Sequence, residues 1–457
     1  MDKLYGKICE KISQVEEYSS ISEVVWSSIE DLNMKMKPSD KKVKIGLINL
    51  PCAGFGDIIV CKTFYDYLNS WYKGIDVTIC TSTPDKYSQL NVKGKIMELK
   101  YPHSSWQGGE CKKIEQLRLQ RVDRKKVKFD ILIFIPVVNQ ELDIKKVQKC
   151  FPYANEFNTF NVSEYNGDYP PYTFPIGIGK SYWGEEYLGL FLTDNLKIPK
   201  QKLIQKPYAL AYTAGHDTAA NTHTETCILS FIEMICKKYH KKHRKFQLII
   251  PPWFKDELLG IGFLTGSGLR TRYNKIVKKY YSSSYLLYND QKVGEKDTLF
   301  DTEEEDSLFI LRGDILPKPR EIFISLIKDS VDDILLTGDQ SLTDGLSYCK
   351  SNKRIWYQVV PWKQELAYEM GKIIPNKYLD NFRTSCGTIK GIKMNLDNRK
   401  LIDQYDFRVL GKKRMDSILI QNRMLGDKMI QSLMKHYFSS RKKETLLKKF
   451  QDEMEMN

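Results

Sequence analysis

The chain lacks several patterns that mark common functional classes. No stretch approaches the roughly 18 apolar residues of a membrane-spanning helix, so we expect no membrane span. The ten cysteines are scattered along 457 residues without a CxxC pair, which argues against a zinc finger or a disulfide framework. There is no GxxxxGK[ST], HExxH or GxSxG sequence, so a P-loop nucleotidase, a zincin protease and a serine hydrolase are all disfavoured. We therefore expect reduced thiols and a cytoplasmic location.

The composition present is that of a globular protein. Hydrophobic residues make up 42% and aromatic residues 12% of the chain, and single cores stop growing at roughly 250 to 300 residues, so two domains are expected. A net charge of +14 suits an acidic partner, yet 71 basic residues are interleaved with 57 acidic ones, which makes nucleic acid the less favoured partner. Abundant Lys, Asn, Ile and Tyr are typical of A·T-rich genomes, such as those of protists or large DNA viruses. A viral protein would act in host cytoplasm or the virion.

Two segments read as strand, polar loop, helix and strand. The first runs from the apolar stretch at 43–50 through a Gly-rich loop to a strand at 76–80, and the second begins at 208–212 and ends at 246–250. This spacing predicts βαβ units and parallel sheets. We expect an α/β fold of two Rossmann-like domains facing across a cleft, with these divisions: a helical N-terminal extension (1–42), an N-terminal domain (43–205), a C-terminal domain (206–400) and a C-terminal helical segment (401–457).

Two stretches carry weaker patterns. Residues 151–205 are rich in Tyr, Pro, Gly and Asn and are predicted to be irregular. Residues 280–306 are polar and acidic and are predicted to be a surface insertion. Neither prediction assigns strands to these stretches.

The most informative stretch is the sequence Leu-Leu-Thr-Gly-Asp-Gln-Ser at 335–341. An apolar run breaks at Gly338, becomes a short helical pattern, and is followed by a second apolar run at 354–362. A loop that opens a helix presents free N–H groups and the positive end of the helix dipole, which suits an anion such as a phosphate. A ligand with a phosphate group is therefore expected here.

The order of these motifs resembles that of GT-B-fold glycosyltransferases. Within that class the pattern is nearest to bacterial protein-arginine rhamnosyltransferases, whose donor loop reads Arg-Gly-Glu-Asp-Ser before a helix and whose next strand ends in a Tyr-Pro-Gln turn. The sequence Gly-Phe-Gly-Asp-Ile at 54–58 similarly resembles their Asn-Phe-Gly-Asp-Ile loop. The resemblance covers about a tenth of the chain.

On the acceptor side, the resemblance gives Asp57 the role of a general base, in a loop with Gly54, Phe55 and Gly56. Such a base has to reach the acceptor's proton, which a carboxylate at the tip of a Gly loop can do. Asp57 could equally cap the helix that begins at Ile58. Ala53 stands where the family has another Asp, which puts arginine as acceptor in doubt.

On the donor side, the resemblance implies a nucleotide-diphosphate sugar as co-substrate and no metal or other cofactor. Hydroxyl and amide groups at a helix start would bind the diphosphate, whereas a carboxylate would hold sugar or ribose hydroxyls. Asp339 or Ser341 could instead cap the helix, Trp362 could anchor a turn in the core, and His216 could be an ordinary loop residue. The expected donor-site residues are Thr213, Gly215, His216, Gly338, Asp339, Gln340, Ser341, Gln358 and Trp362.

The predicted function is transfer of a sugar from a nucleotide-diphosphate sugar to an unknown acceptor, a protein or a glycan, by an inverting and metal-independent route. The alternative is a catalytically inactive protein of the same fold that serves as a structural or nucleic-acid-binding component, for example in a viral particle. The changes at Ala53 and Gln340 and the basic C-terminal segment are the features that favour this alternative.

Overall fold

The computed structural model describes residues 2–14, 21–35, 42–51, 56–99, 127–137, 143–165, 173–181, 184–193, 196–200, 202–205, 207–215, 221–262, 268–290, 293–302, 307–349, 353–360 and 363–439, with the single positions 448 and 452. The strands are β1 (Val43–Asn49), β2 (Ile75–Thr81), β3 (Lys95–Glu98), β4 (Ile131–Val137), β5 (Thr159–Ser163), β6 (Tyr208–Ala211), β7 (Lys245–Ile249), β8 (Ser283–Asp290), β9 (Val293–Asp301), β10 (Leu308–Arg312), β11 (Asp333–Leu336), β12 (Arg354–Tyr357), β13 (Leu379–Arg383) and β14 (Thr388–Lys393). The helices are α1 (Asp2–Gln14), α2 (Ile21–Asp31), α3 (Gly56–Trp71), α4 (Pro84–Gln89), α5 (Ile144–Cys150), α6 (Asn221–Tyr239), α7 (Pro252–Leu258), α8 (Leu269–Val277), α9 (Arg320–Asp329), α10 (Asp339–Tyr348), α11 (Gln364–Ile373), α12 (Leu396–Asp403), α13 (Phe407–Met424) and α14 (Lys428–Ser439).

The chain divides into two compact units. The first comprises residues 1–191 and 405–457, and the second comprises residues 192–404. The sequence had placed the boundaries at 205/206 and 400/401, and it had treated both terminal helical segments as separate pieces. The assignment of one domain to the acceptor and the other to the donor stays a prediction.

The first unit is built on a five-stranded sheet with the order β3-β2-β1-β4-β5. Each neighbouring pair in it is parallel. The strand order reverses at β1, since β2 and β3 lie to one side and β4 and β5 to the other. Buried side chains of β1 and β4, such as Ile48 and Leu132, form the core of this sheet.

The terminal helices pack together in the first unit. Helices α1, α2, α13 and α14 share a core that includes Ile8, Val25, Ile420 and Ile430. Apolar positions spaced three and four residues apart in these helices put one stripe of each helix into this core. The predicted N- and C-terminal helices are therefore confirmed, and they belong to one body of structure.

The second unit is built on a nine-stranded sheet with the order β13-β14-β12-β11-β6-β7-β10-β8-β9. The segment from β12 to β8 is parallel, and the outer pairs β12–β14, β13–β14 and β8–β9 are antiparallel. The order reverses between β6 and β11, because β7 follows β6 on one side and β11 and β12 lie on the other. The predicted α/β fold with two Rossmann-like domains is confirmed, whereas the cleft between the two domains stays a prediction.

One expectation from sequence was wrong, and a second holds for the described residues except for one strand. The stretch 280–306 contains β8 and β9, and β8 pairs in parallel with β10, so it is part of the sheet and not a surface insertion. The stretch 151–205 is otherwise irregular in its described residues but contains β5, which pairs with β4. These strands were missed because they mix polar and apolar residues, and because their neighbours in the sheet are set by contacts distant in sequence.

Candidate functional site

The polar loops of the second unit meet at the point where its strand order reverses. Thr213 and Gly215 follow β6, Gly338 follows β11, and Gln358 follows β12. These three strands are neighbours in the sheet, with Tyr212 N donating to Leu335 O at 2.8 Å and Gln358 N donating to Leu336 O at 2.8 Å. In open α/β sheets, ligands bind outside the carboxyl ends of the strands at such a reversal. The fold thus brings the described donor-site residues of the sequence prediction to one edge.

The start of α10 depends on Gly338. Its φ of 78° lies in the left-handed region, which glycine adopts without the penalty of a Cβ. Gly338 is the N-cap of α10, and no side chain caps the helix. The hydroxyl of Ser341 donates back to the carbonyl of Thr337, so it is spent within the turn. The alternative that Asp339 or Ser341 caps α10 is therefore wrong.

A buried ion pair lies at the first residue of α10. The Nζ of Lys363 is 3.0 Å from Oδ2 of Asp339, and the two side chains are only 4% and 14% exposed. The carboxylate also lies near the positive end of the α10 dipole, which stabilises it further. The Asp339 carboxylate therefore already occupies the positive end of α10 where a phosphate was expected. Sequence reasoning missed Lys363, whose only signal was its place in the loop after a predicted strand.

The amide of Gln340 has a fixed orientation. Its Nε2 donates to Oδ1 of Asp344 at 3.0 Å and to Oγ1 of Thr343 at 3.3 Å. Asp344 is 1% exposed and accepts from both Nε and a terminal nitrogen of Arg320. A carboxylate without a proton can only accept, so the amide nitrogen of Gln340 has to face it. The nitrogen is engaged, and the buried Oε1, without a partner among the described residues, is left to accept from a hydroxyl or an N–H group.

Gln358 holds the loop after β6. It is 3% exposed, and its Oε1 accepts from Ala214 N at 2.9 Å while its Nε2 donates to Ala214 O at 3.3 Å and to Oγ1 of Thr224 at 3.2 Å. Both ends of the amide are satisfied within the protein. Its observed contacts are those of a clamp between this loop and the first turn of α6.

Trp253 positions the same loop from the side of β7. Its Nε1 donates to Thr213 O at 2.8 Å. A Cβ on Gly215 would lie 2.4 Å from the Trp253 ring, so this close approach requires glycine. The Oγ1 of Thr213 is buried and has no hydrogen-bond partner among the described residues. The loop therefore offers a polar group that none of the described residues uses.

In the first unit, Asp57 lies at the corresponding edge of the other sheet. It is the second residue of α3 and is half-buried, and α3 is the helix that follows β1, where the strand order reverses. Gly56 opens the helix, and none of the described residues lies within 4 Å of a Cβ added there, so their packing does not require glycine. The role of Asp57 as a base stays a prediction.

A buried amide fixes the start of α3. Asn49, the last residue of β1, is fully buried and donates to Asp57 O at 3.2 Å and to Ile135 O at 2.7 Å, while the hydroxyl of Tyr87 donates to its Oδ1 at 2.7 Å. Burial raises the pKa of Cys61, which lies in hydrogen-bond contact with Tyr87, to about 12. Asn49 was missed from sequence, although a polar residue that ends an apolar strand was a usable signal.

Four predicted site residues, Gly54, Phe55, His216 and Trp362, lie outside the described residues.

Within the described ranges, none of the helices has the length and apolarity needed to cross a membrane. In the same ranges, there is no group of three or more His, Cys, Asp and Glu side chains placed to hold a metal ion.

Comparison with known proteins gives little further guidance. No protein-family model matches the chain, and no curated protein matches it at a significant level. A crystal structure described as that of the glycotransferase of kitacinnamycin is similar, with a TM-score of 0.35 and 10% sequence identity, over 84% of this chain and 95% of that chain.

Proposed function

We propose that the protein is a glycosyltransferase that binds a nucleotide-diphosphate sugar at the carboxyl edge of the second unit's sheet. The observation that carries this proposal is the meeting of the loops after β6 and β11 at the reversal of strand order, because this is where α/β sheets bind nucleotides. The resemblance of the sequence to GT-B glycosyltransferases narrows the ligand from a nucleotide to a nucleotide sugar.

The polar groups at this edge suggest that different parts of the ligand bind to α10 and to the loop after β6. The α10 side carries the Asp339 carboxylate and the Gln340 amide oxygen, which accept hydrogen bonds and suit the hydroxyls of a sugar or ribose. The side of β6 offers the Thr213 hydroxyl and the approach to the α6 N-terminus, which suit the diphosphate. In this proposal the phosphates lie against the loop after β6, and the first residues of α10 accept hydrogen bonds from hydroxyl groups of the sugar or ribose.

Catalysis in this proposal uses Asp57 as the base that removes the proton of the acceptor, a protein or a glycan. Attack on the anomeric carbon from the face opposite the leaving nucleoside diphosphate inverts its configuration. Donors at the β6 loop stabilise the charge that develops on the leaving diphosphate, the interaction that usually contributes most to such reactions. The metal-independent route follows the resemblance.

The test is thermal stability in the presence of UDP, GDP, dTDP and CMP and their sugar derivatives. A ligand at 100 times its dissociation constant stabilises the folded state by about 2.7 kcal/mol, which is visible as a rise in melting temperature. We expect one nucleotide class to give this rise. Asp339→Asn should reduce it, since the variant removes the charge and half of the hydrogen-bond accepting capacity at α10.

Two further variants make the result specific. Asp380→Asn is the matched control, because Asp380 on β13 is also ion-paired within the second unit. Its partner is Arg354, at the amino end of β12. Asp57→Asn should leave nucleotide binding intact and abolish transfer. Absence of a shift with every nucleotide would contradict the proposal and favour the binding protein without catalytic activity.

A further inference from the structure

Tyr212 is an exposed aromatic side chain at the reversal of strand order. It directly follows β6, and 38% of its surface is exposed. Large exposed hydrophobic side chains are few among the described residues, and none of the others directly follows a strand: Leu203, Ile261, Tyr368, Leu396 and Val409. Single exposed apolar residues are normal, so its position, and not its exposure alone, marks Tyr212 for attention.

The position of Tyr212 is fixed from two directions. Its backbone N–H donates to Leu335 O at 2.8 Å, which holds it in register with β11. Its ring makes an edge-to-face contact with Phe323 in the first turn of α9, with ring centroids 5.0 Å apart and an interplanar angle of 63°. Phe323 is 9% exposed, so the contact braces the ring against a buried neighbour. A braced and partly exposed ring loses little conformational entropy when a ligand covers it.

Its neighbours along the chain already belong to the candidate site. Thr213, the next residue, has a buried hydroxyl without a partner among the described residues, and Gly215 allows the close approach of Trp253. A ring in this place lies one residue from the group that is proposed to meet the phosphates. The base and the sugar of a nucleotide sugar flank its phosphates, so either of them is within reach of such a ring.

We propose that the ring of Tyr212 is a platform on which a ring of the bound nucleotide sugar stacks. The inference rests on the proposed function and deepens it. An aromatic face stacks on a nucleobase through its π system and on a sugar through C–H groups, so the shared chemistry is the apolar face of a ring. Phe323 sets the tilt of the Tyr212 ring.

The experiment measures the dissociation constants of UDP, GDP and dTDP, and of their sugar derivatives, by calorimetry with the full chain. Tyr212→Ala should raise the dissociation constant of the nucleotide that stabilises the wild type by about tenfold. This is the usual order for loss of one aromatic stack on a base. Tyr212→Phe should bind as the wild type does, because it keeps the ring. Tyr212→Leu fills similar volume without an aromatic face and should bind as Tyr212→Ala does.

The comparison of ligands identifies the stacked ring. An equal loss for the nucleoside diphosphate and its sugar derivative assigns the base, and a loss confined to the sugar derivative assigns the sugar. Tyr368→Ala is the control, since Tyr368 is a 65% exposed tyrosine on α11, and it should leave binding unchanged.

Wild-type affinity in both Tyr212→Ala and Tyr212→Leu would overturn this inference and leave the proposed function standing. Failure of every nucleotide to bind the wild-type protein would overturn the proposed function and this inference with it. A loss in Tyr212→Phe equal to that in Tyr212→Ala would also overturn the stacking role, because the hydroxyl group would then carry the effect.

Discussion

In the first unit a buried asparagine holds the loop edge together, whereas in the second unit a buried glutamine does so with two ion pairs beside it. Asn49 joins the end of β1 to the start of α3 and to β4 through neutral hydrogen bonds. Gln358 joins the loop after β6 to α6, and next to it Arg320–Asp344 and Lys363–Asp339 place buried charges around the start of α10.

The first unit's edge is held by a neutral amide, whereas the second unit's edge also contains buried charges, and the two arrangements have different energetic costs. A neutral amide is enough to fix the first turn of a helix, as it does beneath Asp57. Burying charges costs several kcal/mol per ion unless they are well paired, so paired charges at α10 are an expensive way to hold a loop alone. The ion pairs beside α10 therefore support the proposed polar ligand at this edge of the second unit's sheet.

The largest expected effect comes from breaking the buried pair of Arg320 and Asp344. Arg320→Met leaves a carboxylate that is 1% exposed without its cation, so we expect a loss of about 3 to 5 kcal/mol in the free energy of unfolding, measured by urea denaturation. Arg354→Met is the control, because Arg354 and Asp380 are 30% and 38% exposed and such pairs contribute about 0 to 1 kcal/mol. Equal losses in the two variants would mean that burial does not distinguish the pairs.

The next effect tests the clamp of the first unit. Asn49→Ala leaves the hydroxyl of Tyr87 and the carbonyl of Ile135 without their partner, and we expect a loss of about 2 kcal/mol in the free energy of unfolding. Asn69→Ala removes an exposed amide from the same unit and should change stability by less than about 0.5 kcal/mol. A loss as small as that of the control would show that Asn49 is not the clamp.

Removing the Gln358 clamp of the second unit should lower the free energy of unfolding less than Asn49→Ala does. It should have the larger effect on nucleotide binding. Gln358→Ala frees a half-buried loop, so we expect a loss of about 1 kcal/mol in the free energy of unfolding. Under the proposed function the nucleotide-induced rise in melting temperature should also fall, since the loop with Thr213 is no longer fixed. An unchanged rise in Gln358→Ala would separate the clamp from ligand binding.

The smallest effect appears only in alkali and compares the two cores. Burial raises the pKa of Cys61 in the first unit and of Cys227 in the second to about 12, above the ordinary value of 9.0. A raised folded-state pKa gives stability that is complete below the unfolded-state value and is lost as the pH rises through the folded-state value. The free energy of unfolding should therefore fall between about pH 9 and pH 12.

Single variants assign this pH dependence. Cys61→Ala and Cys227→Ala should each make the fall between pH 9 and pH 11 shallower, as followed by thermal denaturation at stepped pH. A slope that neither variant changes would mean that other groups, such as the buried tyrosines, cause the alkaline loss.

Local patterns in the sequence were enough for the βαβ units. The apolar runs that became β1, β6 and β11 are bounded by glycine and short polar residues, and this punctuation is encoded within a few residues. The loop at Gly338 and the helix after it were predicted for the same reason. The strands β5, β8 and β9 mix polar and apolar residues and were not predicted, because their neighbours in the sheet are specified far away in the chain.

Local sequence patterns specify the α/β class, the central strands of each sheet and the loops that follow them, because periodicity and turn chemistry act over a few residues. Three features depend instead on packing: the helices after residue 405 complete the first unit, Gln358 clamps a loop, and the Gln340 nitrogen faces Asp344. Each of these depends on a partner that becomes a neighbour only when strands, helices and buried charges have been packed together, and an amide points whichever way its acceptors and donors require.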